Sequence, residues 1–360
     1  MGRLERPARR QTARFGAAIA LAASLALAPT ARASPTAEHD ADGAENDADG
    51  AGPLPVLVAL VPGFVVSGAG TWVAGDGKTG RGLLRLQLLG LGVAAAGGIP
   101  LVATGASRRV AGFSMPLILT GSGIFLGSWI ADIYGAATGG TDRGPWQRSA
   151  RIESSAGLAY VYDPQFDYAS FAVLDTDVHW ARWRATPSAW IALGDDTQRG
   201  RAEFARRFDS ARDTSFIELQ GAATLHRMGD FDTTVWTGEV SALVRYDMAR
   251  FGRTLRGSYL EIGAGFGLEI YDIGDDSTLL DLPLARAGYG MTLGRGEVEV
   301  FYDHRHDEFT GGLGTGGSFD GPYGHLGAEG FYYVTDRWGL ELQLEAGAAY
   351  TGRLSVLWAN

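Results

Sequence analysis

Alternation of apolar and polar positions is the clearest pattern in the second half of the chain. In the segment WGLELQLEAGAAY, residues 338–350, the even positions are Trp, Leu, Leu, Leu, Ala, Ala and Tyr, whereas the odd positions are Gly, Glu or Gln, and Ala. A period of two places successive side chains on opposite faces of a β-strand. One face is therefore apolar with an aromatic ring at each end, which is typical of a strand in a transmembrane β-barrel.

The same alternation predicts a series of strands from residue 151 onward. It is clear in Leu260–Ile270, Thr233–Asp247 and Asp213–Met228, and turn residues stand between the segments. Weaker patterns predict strands near Ile152–Tyr162, Tyr168–Trp180, Leu280–Leu293, Glu297–Glu308, Pro322–Val334 and the final RLSVLWAN. A turn near 347–349 or 351–353 must divide the last stretch, because a membrane strand needs only about 9–11 residues. We therefore predict a mostly-β fold, an antiparallel up-and-down transmembrane β-barrel of about ten strands (about 8 to 12) over residues 151–360.

One stretch of this region carries a family resemblance. GAEGFYYVTDRWGLELQLE, residues 327–345, resembles the strand–short turn–strand hairpins of small bacterial outer-membrane β-barrel proteins. The likeness rests on Tyr332, Tyr333, Thr335, Asp336 and Trp338. The resemblance implies a place in the outer membrane, with the lipid bilayer and the outer-membrane assembly machinery as partners. Barrels of this class usually end on an aromatic residue, whereas here two residues follow the last Trp.

The strand pattern assigns side chains to two faces of the barrel wall. The polar face supplies candidates for lining a lumen or pore, namely Glu239, Arg245, Glu261, Glu269, Glu297, Glu299, Asp303, Arg305, Glu341 and Glu345. The apolar face supplies aromatic residues for the two membrane girdles, namely Trp236, Tyr246, Tyr302, Trp338, Tyr350 and Trp358. In a narrow barrel, opposite charges would pair across the interior. In a wider one, the acidic excess would favour cations.

Residues 53–140 have a different composition. Leu88–Ser107 and Val110–Ala131 are uncharged, and each is close to the roughly 20 residues that a membrane helix needs. We predict a hydrophobic helical hairpin here, in which the GxxxG step Gly123–Gly127 permits close helix packing. The preceding run VPGFVVSGAGTWVAGDGKTGRGLL resembles the entry of small bacterial helical-hairpin membrane proteins through Pro62, Gly63, Gly68, Gly70, Gly75 and Gly80. A buried hairpin of a soluble protein is the alternative.

The first 52 residues indicate export. Five arginines precede the uncharged stretch Phe15–Ala28, and Ala31-Arg32-Ala33 fits a cleavage site, so residues 1–33 are predicted to be a signal peptide. Residues 34–52 contain six acidic and no basic residues, which predicts a disordered linker. Cleavage would leave 25 Lys and Arg against 40 Asp and Glu, a net charge of −15. Such an acidic chain is a poor match for nucleic acid.

No residue pattern identifies a catalytic centre, a metal site or a cofactor. His304 and His306 follow the strand VEVFY, and we interpret them as rim residues rather than metal ligands. His325 shares a polar face with Glu329, so it could meet Asp303 or Arg305 on a neighbouring strand. Barrel hydrolases use such sets, but a lumen histidine held by hydrogen bonds is the preferred interpretation. The chain has no cysteine, which excludes disulfides and thiolate chemistry.

These observations favour an exported outer-membrane β-barrel with a structural, binding or small-pore role, an acidic lumen and no enzymatic activity. Its small-molecule or ion ligand is left open. Two alternatives remain. In the first, an inner-membrane helical hairpin anchors a periplasmic β-domain, because strong membrane helices tend to stop in the inner membrane. In the second, the barrel is a hydrolase that uses His325.

Overall fold

The computed structural model describes residues 53–105, 107–138, 150–162, 170–210, 213–229, 233–273, 276–304, 324–347 and 349–360. The predicted signal peptide and acidic linker lie outside these residues. The described chain forms one closed antiparallel barrel and, before it, a set of helices. Both belong to a single compact unit.

Twelve strands form the barrel, each hydrogen-bonded to its neighbours in sequence, and the first strand pairs with the last. The strands are β1 (Ile152–Tyr162), β2 (Ser170–Trp180), β3 (Trp183–Ala192), β4 (Gln198–Asp209), β5 (Phe216–Met228), β6 (Thr233–Asp247), β7 (Ser258–Ile273), β8 (Asp276–Leu293), β9 (Gly296–Asp303), β10 (His325–Tyr333), β11 (Trp338–Ala346) and β12 (Tyr350–Ala359). The up-and-down barrel class is confirmed. Closure leaves no free strand edge in the wall.

The barrel has twelve strands, the upper limit of the predicted range of 8 to 12 and two more than the central number of ten, because β3 and β4 were not recognised. β3 contains Pro187, which argues against a strand in a sequence pattern. The outward positions of β4 include Gly200 and Ala202 beside Phe204, so its apolar face is weak and its arginines dominate the composition. Both strands nevertheless pair in continuous register with their neighbours.

Each strand turns one row of side chains inward and the other outward. On β7, Phe266 and Leu268 are 72 % and 52 % exposed, whereas Glu261 and Glu269 on the other face are buried. The outer row of the wall is apolar around much of the barrel, as Leu158, Leu219, Val240 and Leu354 show. Because the wall is closed, the backbone N–H and C=O groups of its strands bond to neighbouring strands, and its outer side chains are apolar. Both properties suit a hydrocarbon environment.

The helical hairpin predicted within 53–140 is present. Three short helices precede it, α1 (Pro53–Leu60), α2 (Pro62–Val65) and α3 (Ala69–Val73), and the hairpin consists of α4 (Gly77–Ala103) and α5 (Arg108–Thr138). α4 and α5 are both long and apolar enough to cross a membrane. They approach closely where Gly90 meets the backbone of Gly121 and where Gly97 meets that of Ser114. Any Cβ at Gly90 or Gly97 would collide with the partner helix.

A buried polar cluster fastens the short helices to the hairpin. The Asp132 carboxylate accepts hydrogen bonds from the backbone N–H groups of Gly70 (3.0 Å) and Thr71 (2.8 Å) at the start of α3. The Gln87 side chain accepts from the Ser67 N–H and donates to the Phe64 carbonyl. Asp132 is fully buried, and its negative charge faces the positive end of a short helix.

The hairpin packs on the outside of the barrel. A Cβ at Gly123 would lie 2.2 Å from Ala287 Cβ on β8, and a Cβ at Gly127 would lie 2.4 Å from Leu260 Cδ1 on β7. Leu260 shares its strand face with the exposed Phe266, not with the inward Glu261. Gly123 and Gly127 therefore contact the barrel wall, whereas Gly90, Gly97 and Gly121 form the helix–helix contact.

The base of the hairpin is tied to the turn between β6 and β7. The Tyr134 hydroxyl donates to the Arg256 carbonyl (2.9 Å), and the Thr254 hydroxyl donates to the Asp76 carboxylate (3.0 Å). Around these bonds lies a buried apolar cluster of Leu83, Leu86, Ile124, Ala131, Tyr134, Met248, Leu255, Leu260 and Tyr289. This cluster joins α4, α5, the turn and the two strands β7 and β8.

Candidate functional site: the barrel lumen

The inward rows of the twelve strands form a lumen with acidic and basic side chains at its centre. Ion pairs in it join strands that are not neighbours in the wall, such as β3 with β5, β4 with β6, and β12 with β2. Such pairs can only form across the concave side of the sheet. The lumen is therefore the place where the charges predicted for the polar face meet.

Arg286 on β8 lies among four carboxylates. Its guanidinium nitrogens are 3.1 Å from Glu299, 3.3 Å from Glu261, 3.5 Å from Asp303 and 3.9 Å from Glu329. The guanidinium also lies over the Phe301 ring at 4.3 Å from its centroid. One guanidinium is thus shared by several carboxyl groups on this side of the lumen.

A second cluster stands beside the first. Arg245 on β6 donates to Glu261 (3.0 Å) and approaches Glu297 at 3.5 Å. Its guanidinium carbon lies 3.7 Å from the centroid of the Tyr259 ring. The Tyr259 hydroxyl in turn lies within hydrogen-bond distance of the Glu297 and Glu299 carboxyl groups (2.9 Å to Glu299), and its single O–H can donate to either. Since Glu261 contacts both Arg245 and Arg286, the two clusters form one network.

Further ion pairs continue the network around the barrel. Arg201 makes a two-pronged contact with Glu239, in which Nη1 lies 3.1 Å from Oε1. Arg184 bridges Glu203 and Glu218, both at 2.7 Å. On the side where β12 meets β1, Arg353 donates to Ser155 (2.7 Å) and Glu341 (3.1 Å) and pairs with Asp175. Among these clusters the carboxylates outnumber the arginines.

Apolar side chains occupy parts of the lumen above and below the charges. At the end of the barrel that carries the termini, Tyr333, Leu357 and Ala359 form a buried cluster. Near the opposite end, the inward side chains of β1, β2 and β3 form another, with Ala159, Val161, Phe171, Val173 and Trp190 joined by Ala349. A small cavity of about 40 Å³ is lined by residues including Arg201, Glu203, Glu239, Arg286 and Asp303.

The structure places nine of the ten predicted lumen residues on the inward face. Glu239, Arg245, Glu261, Glu297, Glu299, Asp303 and Glu341 take part in the ion-pair network. Glu269 is buried on the same face of β7, and Glu345 approaches His325 at 3.7 Å. Arg305 lies outside the described residues.

Sequence analysis missed most of the arginines that organise the site. Arg184 and Arg201 lie on the unrecognised strands β3 and β4, and Arg286 lies on a strand whose alternation is weak. Arg353 stands in the final segment, where it faces inward beside Ser355. An aromatic residue or leucine on the outer face of each strand fixes which alternate positions point inward. Counting from it would have identified these arginines as inward residues.

Five of the six predicted girdle aromatics form parts of two outward belts. Trp338 and Trp358 are register partners at the terminal end, and Trp236, Tyr302 and Tyr350 lie toward the other end. Further aromatic rings on the outer face are Trp180, Trp183, Phe204, Tyr160 and Tyr162. Tyr246 also faces outward, but it packs against Phe251 and the hairpin cluster.

The histidines near β9 and β10 lie in different surroundings. His304 stacks on Tyr302, whose hydroxyl is 3.0 Å from its Nδ1, and it is buried rather than solvated as expected for a rim. His325 is the register partner of Asp303, as the strand phases suggested, and its ring meets Phe301 edge-on. The His325 imidazole thus lies against Phe301 and 3.7 Å from the Glu345 carboxylate at one end of the lumen. His306 lies outside the described residues.

No protein-family model and no curated protein sequence matches the chain. Among solved structures, similarity is found to a KdgM porin in complex with disordered oligogalacturonate (7 % identity, 58 % of this chain and 99 % of the porin, TM-score 0.39). It is also found to Omp33 of Acinetobacter baumannii (8 %, 59 % and 98 %, TM-score 0.32) and to the Salmonella typhi outer membrane phospholipase (9 %, 61 % and 95 %, TM-score 0.39). None of these similarities bears on the activity of this chain.

Proposed function

We propose that the protein is an outer-membrane β-barrel whose narrow, acidic lumen passes small cations. Two features support a place in the outer membrane: the closed wall with its apolar exterior, and the export signal predicted at residues 1–33. Spanning the membrane as a barrel is typical of outer-membrane proteins. The closed barrel also makes a soluble periplasmic β-domain a poorer explanation, because its outer face is apolar.

The observation that carries the proposed selectivity is the surplus of carboxylates around each arginine. Four carboxyl groups, those of Glu261, Glu299, Asp303 and Glu329, surround the single guanidinium of Arg286. A ring of excess carboxylates lowers the energy of a cation in the lumen and raises that of an anion. The proposed permeant species is a small cation.

The observation that limits the size of the solute is the span of the ion pairs. Arg245 reaches from β6 to Glu297 on β9, and Arg353 reaches from β12 to Asp175 on β2. These side chains cross the interior and narrow it. Oligosaccharides and other large solutes would have to displace paired charges, which is costly away from bulk water.

Planar-bilayer recording of the purified, refolded protein tests the proposal. We expect a small conductance whose reversal potential in a KCl gradient shows preference for potassium over chloride. Glu203→Gln combined with Glu239→Gln should reduce that preference, whereas Arg295→Gln in the β8–β9 turn should leave it unchanged. If folded protein gives no conductance, the barrel is closed and its role is structural.

The two alternatives predict other outcomes. If the hairpin anchored a periplasmic β-domain, the protein would fractionate with the inner membrane and would not change its gel mobility on heating. If the barrel were a hydrolase, the purified protein would cleave lipid or peptide, and His325→Ala would abolish the cleavage. The contacts of His325 with Glu345 and Phe301 fit a positioned imidazole but assign it no substrate.

A further inference from the structure

We infer that the helical hairpin lies in the same bilayer as the barrel, with lipid acyl chains covering its outward face. This inference rests on the proposed membrane location of the barrel. It concerns a different part of the molecule, and it gives the hairpin a stated partner. The argument has three parts: the seat of the hairpin, its exposed surface and the placement of its charges.

The seat of the hairpin is a sector of the lipid-facing wall. Along α5, Gly123, Gly127, Ile130 and Tyr134 follow the spacing of one helix face and point to the barrel. They cover outward positions of β7 and β8, including Leu260, Ala287 and Tyr289. Farther along the same wall face, Phe266 is open. The hairpin covers part of the outer wall that lipid would otherwise contact. It therefore lies at the same level in the membrane as the hydrocarbon around the rest of the wall.

Other sides of α5 are also taken. Phe125 and Trp129 meet Phe64 edge-on at 5.5 and 5.2 Å between ring centroids, so α2 covers one side. Gly121 and Ile124 contact α4. α5 thus contacts the barrel on one side and the short helices and α4 on others, and the rest of its surface is open.

The outward face of the hairpin is apolar. On α4, Leu88, Leu89, Leu91, Ile99 and Val102 are all exposed. Only 17 % of the most apolar window of α4 and 28 % of that of α5 are buried, unlike a core helix of a soluble protein. Acyl chains would cover this surface at no cost, whereas water would be ordered around it.

Charged residues stand only at the ends of the uncharged stretches. Residues 86–107 and 110–131 contain none. The helical part of the first stretch, residues 86–103, is about 27 Å long and the second stretch about 33 Å, both close to the hydrocarbon thickness of about 30 Å. Lys78, Arg81 and Arg85 precede the first stretch, and Arg108-Arg109 separates the two. Asp132 follows the second stretch, and its carboxylate is satisfied by backbone N–H groups. The middle of each helix, which lipid would surround, therefore contains no charged residue.

Fluorescence quenching by lipid tests the inference, and the absence of native cysteine makes single labels possible. Leu89→Cys would carry an environment-sensitive fluorophore, and the full-length protein would be reconstituted in phosphatidylcholine vesicles with or without brominated acyl chains. Phe266→Cys is the control for a lipid-facing wall position, and Ser241→Cys is the control for the lumen. We expect the Leu89 label to be quenched to within about twofold of the Phe266 label, and the Ser241 label to be unaffected.

The outcomes separate the two proposals. Quenching at Phe266 without quenching at Leu89 would overturn the lipid assignment of the hairpin and leave the barrel in the bilayer. It would be the result if water or a second copy of the chain covered α4. Quenching at neither position would overturn the membrane location of the barrel as well.

A disulfide locates the hairpin independently of any label. A Cβ at Gly82 would lie 3.3 Å from Phe251 Cβ, close to the spacing of a disulfide. The double variant Gly82→Cys, Phe251→Cys should therefore form this disulfide in cells, and the cross-linked protein should be found in their outer-membrane fraction. Gly92→Cys with Phe251→Cys is the matched control, because Gly92 faces open space and should not cross-link. A failure of the first pair to cross-link in folded protein would show that the hairpin leaves the barrel.

Discussion

The barrel wall and the helical hairpin are both apolar on the outside, but they are held together by different interactions. Inside the barrel, charges such as Arg286 and Glu261 pair across the lumen, and the wall is closed by strand pairing. The hairpin instead adheres through close contacts of small residues, as at Gly123 and Ala287. The barrel interior therefore depends on ion pairs between buried side chains. The contact between the hairpin and the wall depends on small residues that let the backbones approach.

The largest effect is expected from removing a lumen arginine. Arg286→Ala would leave Glu299 and Asp303 buried without their guanidinium partner, and Glu261 with Arg245 alone. Unpairing a buried ion pair destabilises a protein by about 3–5 kcal/mol, so the heating step that unfolds the barrel on a gel should move to a much lower temperature.

Arg295 provides the matched control for this variant. It pairs with Asp336 at 2.6 Å in turns at one end of the barrel, and Asp336 is almost fully exposed. Exposed ion pairs contribute about 0–1 kcal/mol, so Arg295→Ala should unfold nearly as the parent does. Equal losses for the two arginines would refute the view that charge pairing holds the lumen together.

The next effect is expected where the hairpin meets the wall. Gly123→Leu inserts a side chain where even a Cβ would lie 2.2 Å from Ala287 Cβ. Overpacking of this kind costs about 1–3 kcal/mol, and we expect the upper end. The Gly82–Phe251 cross-link should fall several-fold, while the barrel keeps its heat-modifiable gel mobility. Gly92→Leu should leave the cross-link yield and the gel mobility unchanged. If Gly123→Leu also abolished the heat-modifiable mobility, the barrel and the hairpin would not be stabilised independently.

A smaller effect is expected from Asp132. Asp132→Ala leaves the N–H groups of Gly70 and Thr71 buried without acceptors, at a cost of about 1–3 kcal/mol. Limited proteolysis of detergent-solubilised protein should then cleave within residues 53–75 while the barrel resists. Asp132→Asn keeps one acceptor oxygen, so it should be intermediate. Identical protection of all three proteins would show that this cluster is dispensable.

The smallest effect lies in a turn. A hydrogen bond from the Arg250 side chain lowers the pKa of Asp213 well below its usual value, helped by the Ser215 N–H. A lowered folded-state pKa stabilises the protein above the ordinary carboxylate pKa of about 4, and the stabilisation is lost as the pH falls toward the folded-state value. Asp213→Asn should therefore lower the unfolding temperature slightly at pH 7, and this difference should shrink as the pH falls toward 2. Arg250→Gln should give the same profile, and a difference of the same size at pH 7 and pH 2 would assign it to another cause.

The same contrast explains how far sequence analysis reached. Strand parity follows from backbone geometry alone, so the face of Glu261 or Glu345 could be predicted without knowing any partner. The bounds Ile152–Tyr162 and Thr233–Asp247 match the observed strands for this reason. β3 and β4 were missed because their outward faces contain Pro, Gly and Ala, which carry little pattern.

Contacts between distant elements could not be predicted in this way. The GxxxG step at Gly123 and Gly127 signals a close approach but does not specify its partner, which proved to be β7 and β8 rather than α4. Likewise, the choice of Glu239 as partner of Arg201 depends on how strongly the barrel curves. Both outcomes require knowledge of the strand number, and the central prediction of about ten was two too low.

The bond between Thr254 and Asp76 joins residues 178 positions apart, and this separation has a kinetic consequence. The helices are synthesised before any strand, whereas their seat exists only once β7 has paired with β8. Contacts of such long range form late, since the loop between them must first be closed. The apolar face of α5 must therefore travel with the unfinished barrel, and a factor that shields it in transit would be needed only until β8 is in place.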